Sequence, residues 1–396
     1  MLIRGRPLRA AAAGAGVKSA SSLLDRPLVQ ASDNTLTRLG DIAIDGFDFE
    51  FGGAGMSWDD VNDRLYMTGL RTDGSVGRLS LPTSVSSGTA DTVDAPVAIS
   101  GSWGPTQAAV VTGSLVYDGE LYVAKSVDYD ANTDQSGWIK KMTLTMGSQG
   151  SINTMSAGGT YVRMLSGAMG HIPAEWQDLL GGPAFTTGGR MSIVTNAQPG
   201  YGFAVFDPAD VSSGGGSVTV TKLLNYEHVS PSDDSRSLEP VSGYHTSYSS
   251  YPKNGNGGTD LYSVANAFLG TAFIHPGSRS LLFVTCHGYG AADNGCRPGS
   301  SVHNDPNRIQ VVAYDLQDLV DVKNGVLNTW DPEPYAWWAL PNWDTPWGAC
   351  VGNPSPGPCS GNFCYIPERG WLIGLADGTG GFPTLEQIQV WTVASL

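Results

Sequence analysis

Positive charge is scarce in this sequence. Its 396 residues hold 22 Lys and Arg against 37 Asp and Glu, a net charge of −15 and a pI near 4.6. That balance argues against a nucleic-acid surface on the main body, because neutralising phosphates takes clustered Lys and Arg. Long apolar runs are also missing. No stretch reaches the ~18 consecutive apolar residues of a membrane-crossing helix, so no membrane span is expected. Signatures of catalysis are absent too. His171, His228, His245, His275, His287 and His303 are scattered, none sits in HExxH, and no GxSxG elbow appears. Asp and His far apart in sequence can still converge on a central channel, but no catalytic residue is nominated and a non-enzymatic role is favoured.

Paired cysteine motifs are lacking. Cys286, Cys296, Cys350, Cys359 and Cys364 all lie in the last third, none in CxxC, and their spacings do not repeat the pattern of a zinc site. They read as candidates for loop-closing disulfides, Cys286 with Cys296 and one partner among the other three left free, with reduced thiols as the alternative.

Helical pattern is sparse: "PAEWQDLLG" at 173–181 is one short helix with Pro173 at its start and Gly181 at its stop, and "LQDLVDVKNG" at 316–325 another. Turn-formers, in contrast, are plentiful. The 52 Gly and 24 Pro make near a fifth of the chain, which suits many short strands joined by turns. A unit recurs in which a small residue, a short apolar run, a polar turn and a second apolar run follow one another. It reads "GGAGMSWDDVNDRLYMTG" at 52–69, "GSLVYDGELYVAK" at 113–125, "GTAFIHPGSRSLLFVTC" at 270–286 and "GNFCYIPERGWLIGLA" at 361–376. Third strands follow in "VGRLSLP", "GWIKKMTL", "YGFAVFDPAD", "RIQVVAYDL" and "QIQVWTV". Second strands are expected near 65, 121, 192, 281 and 371, intervals of roughly 50 to 90 residues that fit β-propeller blades with insertions.

The expected fold is therefore all-β, a propeller of about six blades over 37–396. The sixth blade is assigned to the weakly patterned 210–265 stretch. "LGDIAIDG" at 39–46 is placed as a strand that closes the ring on the C-terminal blade. A two-domain β-sandwich is the competing architecture.

Three stretches could carry chemistry. "DYDANTDQSG" sets Asp128, Asp130, Asn132 and Asp134 at alternate positions, where their oxygens could converge on calcium. It is not an EF-hand, which would have Gly and Glu where Thr133 and Ile139 stand, and a solvated hairpin tip is the plainer reading. "TWDPEPYAWWALPNWDTPWG" gathers Trp330, Tyr335, Trp337, Trp338, Trp343 and Trp347, either a flat aromatic platform for sugar or protein or packing between blades. "GYHTSYSSYPKNGNGGTDLYS" at 243–263 has the composition of an adaptable recognition loop or of a ligand-free insertion.

The first thirty residues invert the overall charge: they carry +4, leaving −19 on the remainder. Their Arg-, Ser- and Ala-rich composition matches a transit peptide better than a secretory signal. The preferred reading is an anchor arm over residues 1–36. Arg4, Arg6, Arg9, Lys18 and Arg26 would dock on acidic groups of a partner, with Leu8, Val17, Leu23 and Leu24 in apolar recesses, because such a segment cannot order itself.

The body resembles an uncharacterised family of propeller-like bacterial and phage proteins through "GHIPAEWQDLLGGPAF" (170–185), "FDPADV" (206–211) and "DVKNGVLNTWDPEPYAWW" (321–338). The arm-plus-body architecture is similar to bacteriophage tail, fibre and decoration proteins. That resemblance implies a multi-copy virion structural protein, bound to other virion proteins through its arm and displaying the propeller to a host-surface glycan or protein. It brings no activity and no catalytic residue. Two alternatives accompany it: an exported or cell-surface bacterial propeller that binds glycan or protein, and a polysaccharide-degrading propeller enzyme. Calcium is the one cofactor suggested.

Overall fold

A computed structural model describes residues 20–45, 55–68, 74–85, 88–100, 109–127, 137–157, 167–188, 202–224, 270–287, 308–329, 331–341, 363–376 and 387–396. The chain is mostly β. Helix α1 (Ala20–Leu24) and strand β1 (Leu36–Asp45) precede a first sheet of β2 (Met56–Asp59), β3 (Arg64–Thr68), β4 (Ser75–Ser80) and β5 (Thr89–Ala98). A second sheet is built from β6 (Ala109–Tyr117), β7 (Glu120–Val127), β8 (Gly137–Thr143) and β9 (Asn153–Ser156). The third begins with β10 (Met169–His171), passes through α2 (Ala174–Leu180), and continues with β11 (Ala184–Thr187) and β12 (Phe203–Phe206). From there the chain adds β13 (Gly216–Thr219) in parallel to β9, then returns as β14 (Thr221–Leu224) beside β12. The fourth sheet is β15 (Gly270–Ile274), β16 (Ser280–His287), β17 (Arg308–Asp315), α3 (Leu316–Lys323) and β18 (Ala336–Ala339). The fifth is β19 (Phe363–Ile366), β20 (Trp371–Ala376) and β21 (Gln387–Val393), and its fourth strand is β1.

The apolar runs explain this stacking. In "LLFV" of β16, Leu281 and Phe283 enter one buried cluster while Leu282 and Val284 enter another. Strand geometry sends successive side chains to opposite faces, so a continuous apolar run means a sheet covered on both sides. The same division splits Leu65 and Met67 from Tyr66 in β3, and Leu121 and Val123 from Tyr122 and Ala124 in β7.

Five clusters result, each between consecutive sheets. Tyr66, Val76, Val123 and Trp138 join sheets one and two. Leu115, Tyr122, Ala204 and Phe206 join two and three. Phe185, Phe203, Phe283 and Tyr314 join three and four through ring centroids 4.9, 6.5 and 5.6 Å apart. Leu282, Val284, Leu372 and Trp391 join four and five, and Met56, Leu65, Ile373 and Val390 join five back to one. Among the described residues the succession is thus cyclic. The strand 39–46, read from sequence as the closing strand, does pair antiparallel with β21, from Leu36 opposite Val393 to Ala43 opposite Gln387. It also meets β5 in parallel over Ala43–Asp45. Arg369 latches the same seam: its guanidinium lies 4.7 Å from the Trp58 ring and 5.0 Å from that of Trp371, and it donates to the Pro82 carbonyl and Asp63, both at 2.6 Å.

Among the described residues the strands form four hydrogen-bonded sheets, and five packing units when the eight-stranded sheet β19-β20-β21-β1-β5-β4-β3-β2 is divided where β1 meets β5. The 210–265 stretch gives β13 and β14 to two of these five, and its part beyond Leu224 lies outside the described residues. In the third sheet the strand that follows α2 and its Gly181 stop is the short β11, and the run expected near 192 lies outside the described residues. Both expected helices form. Gly181 caps α2 with φ +96°, and the Asp315 carboxylate accepts from the Gln317 N–H at 2.9 Å to start α3.

Residues 20–35, placed by sequence in a separate arm, lie on the body. Leu23 is buried with Ile172 and Trp176, and Leu24 packs against that cluster. Arg26 pairs with Glu175 at 3.4 Å and stands 5.9 Å over the Trp176 ring. The Arg279 N–H donates to the Pro27 carbonyl, the Val29 N–H to Ser280 Oγ, and the Tyr335 hydroxyl to the Val29 carbonyl. The C-terminal residues seat on the same β15–β16 turn, with Ser395 Oγ donating to the Pro276 carbonyl at 3.3 Å.

The first strands β2, β6, β10, β15 and β19 touch one another in cyclic order and so surround the axis. Their backbones close up at glycine. A Cβ on Gly55 would come within 2.8 Å of the Gly113 carbonyl carbon, and one on Gly113 would overlap the Gly167 carbonyl. Gly113→Ala is expected to cost about 1–3 kcal/mol through forced backbone displacement, while Gly147→Ala, with open space beyond a 3.8 Å contact, stays near wild type; urea midpoints of the two variants check this. His275, fully buried in the β15–β16 turn, has its pKa pushed down to about 4 by burial, opposed weakly by the Pro276 and Ala394 backbone. The unfolded chain, with the ordinary histidine value near 6.5, binds the proton first as pH falls. Stability is therefore expected to drop by roughly 3 kcal/mol between pH 6.5 and 4 from this group alone, and unfolding curves of a His275→Gln variant should lack that increment.

Candidate functional site

The inner strands enclose a cavity of about 300 Å³ at the hub. Every sheet supplies part of the wall: Met56 and Trp58 from β2, Leu115 from β6, Met169 and His171 from β10, Ala272 and Phe273 from β15, and Cys364 and Tyr365 from β19. The buried members Met56, Met169, Ala272 and Cys364 form its floor. Its exposed members, Asp60, His171, Pro367 and Glu368, stand where inner strands end and turns begin, and they mark the mouth. Phe273 and Tyr365 stack across the joint between sheets four and five with centroids 4.6 Å apart and planes at 27°.

The electrostatics of the mouth are one-sided. Two carboxylates line it, and among the described lining residues there is no Lys or Arg. Arg369, the nearest cation in sequence, is committed to the ring-closing latch. His171 stacks on Tyr117 at 5.8 Å, and its pKa is lowered by burial against neighbouring protein, opposed by a Val116 backbone hydrogen bond and by Asp60 and Glu368. Its ring reaches solvent through the cavity yet is neutral at neutral pH. Two lining groups register Glu368 after the larger effect of burial: Tyr365 is pushed up to about 12, and so is the Cys364 thiol. Burial thus favours the neutral thiol form of Cys364. Among the described hub residues no nucleophile is hydrogen-bonded to a base.

The residues nominated from sequence fare differently. Leu23, Leu24 and Arg26 make their contacts within this chain; Arg4, Arg6, Arg9 and Lys18 lie outside the described residues. Asp128, Asp130, Asn132 and Asp134 also lie outside them, as do Trp330, Trp343, Trp347, Cys296, Cys350, Cys359 and the 243–263 stretch. Tyr335 is no platform. Its hydroxyl sits 2.6 Å from Ser280 Oγ and 3.0 Å from the Val29 carbonyl, and burial pushes its pKa up to about 12. Trp337 belongs to β18, and Trp338 packs on the cluster between sheets four and five. Cys286 lies in β16, and Cys364 is a buried free thiol, in keeping with a reading that leaves one of Cys350, Cys359 and Cys364 unpaired. Asp60, His171, Tyr365 and Glu368 were missed. Aligning the repeats on their leading glycine carries the signal, since "SWDD", "MGHI" and "CYIPE" then fall at one level, at the inner-strand ends.

No protein-family model matches this chain, and no curated protein does. Among solved structures there are distant matches to β-propeller proteins. A chain from Thermus thermophilus named as an oxidoreductase (glucose dehydrogenase) is 10% identical over 90% of this chain and 99% of its own, with a TM-score of 0.35. One from Bacteroides uniformis named as a 6-phosphogluconolactonase is 10% identical over 86% of this chain and 80% of its own, at 0.30. The phage phi92 endosialidase is 9% identical over 86% of this chain and 35% of its own, at 0.23. At these scores the likenesses carry no argument about activity.

The His171 resonance is expected to titrate below 6.5 in an NMR pH series, and Glu368→Gln to move it lower still, because that carboxylate favours the charged ring. An upward move on substitution would contradict the assignment of the mouth.

Proposed function

We propose that this chain is a propeller-type binding module of five sheets that takes the cationic end of a ligand into its hub. One observation carries the reading: aromatic and apolar walls beneath a mouth with two carboxylates and, among the described lining residues, no cation. A positive group at such a mouth keeps favourable charge contacts while its ring or alkyl body exchanges water for Phe273, Tyr365 and Met169. The setting implied by the sequence resemblance, a virion or other exposed surface, suits a hub that receives cationic groups of a partner or host.

Benzylammonium tests this as a probe. It is expected to bind in the millimolar range, about −4 kcal/mol or less favourable, with benzoate at least about tenfold weaker, and Asp60→Asn with Glu368→Gln should erase the difference. Equal binding of the two probes, or of benzylammonium to both chains, measured by ligand-observed NMR, would defeat the reading.

A further inference from the structure

The chain carries a cationic segment of its own. Residues 1–19 carry Arg4, Arg6, Arg9 and Lys18 and no acid. Their point of departure is fixed. Leu23 of α1 is buried beside Ile172 and Trp176, and Arg26 holds Glu175 of α2, the helix that directly follows His171 in the wall of the hub. Ala20 thus leaves the body beside the inner strand of the third sheet. Nineteen extended residues reach about 60 Å, against a radius of gyration of roughly 21 Å expected for a 396-residue globule, so the hub is within range from that exit. Tethering of this kind raises the local concentration of the segment to roughly the millimolar level, enough to populate a contact that would be weak between free molecules.

We propose that residues 1–19 act as a tethered occupant of the hub, an arginine of the segment entering the mouth beside Asp60 and Glu368 until a competing cationic ligand displaces it. This inference rests on the hub being a cation site. It makes the basic segment a built-in competitor, and gives +4 on the first thirty residues a counterpart on the chain's own acidic remainder.

The test uses full-length chains. One is unaltered and one carries Arg4→Ser, Arg6→Ser, Arg9→Ser and Lys18→Ser. A fluorescent peptide of residues 1–19 is expected to bind the substituted chain at least about tenfold more tightly than the unaltered one, to weaken with salt, and to lose binding when Asp60→Asn and Glu368→Gln are added. Benzylammonium affinity should rise by a similar factor in the substituted chain. The inference is overturned if the peptide binds both chains equally, ignores the rim substitutions, or binds neither. Sedimentation showing that the basic segment pairs two copies would overturn it too. If benzylammonium binds both chains alike while the peptide binds neither, the hub reading stands and tethered occupancy falls. If neither chain binds benzylammonium, the hub reading itself falls.

Discussion

Burial of each sheet on both faces is the constraint from which the rest follows. A sheet with one apolar face can rest on a single neighbour. These sheets, with Leu281 and Phe283 on one side of β16 and Leu282 and Val284 on the other, need two. Each fully buried side chain of this size contributes about 1.5–3 kcal/mol relative to exposure, so an end sheet left half-covered would forfeit a large sum. Cyclic closure removes the ends, and the seam is held by hydrogen bonds from β1 to β21 together with Arg369 between Trp58 and Trp371.

Closure also creates the hub. Inner strands approach so closely at Gly55, Gly113 and Gly167 that a methyl group has no room, while a few residues further along, where strands run into turns, side chains diverge around the cavity. Polarity there follows from position. Turn residues such as Asp60 and Glu368 face water, and the strand residues beneath them belong to the packed clusters. The result is an apolar well with an acidic mouth, on the same side of the ring as the turns that receive residues 20–35.

Much of this was legible in sequence, for identifiable reasons. Apolar runs of β16, β17 and β20 are long and bounded by Gly, Pro or Asp, so strands and their order could be read, and so could β1 as the closing strand. Packing of residues 20–35 could not. Leu23, Val29 and Arg26 have partners in Trp176, Ser280 and Glu175, at least 149 residues away, and local composition says nothing of such distant contacts. The aromatic cluster misled in part because composition cannot separate a ring that faces solvent from one like Tyr335 that ties down the N-terminal segment. Cavity residues escaped notice because each is ordinary in its own hairpin and acquires meaning when five hairpins are superposed.

Native-state hydrogen exchange of the seam tests cyclic closure most directly. If β1 is an integral strand of the fifth sheet, amides of Ile42 and Ala43 should exchange at the same global opening free energy as Ile388 and Val390 of β21. Exchange of β1 at rates typical of a frayed terminus, with β21 still protected, would contradict the closed ring and the hub built on it.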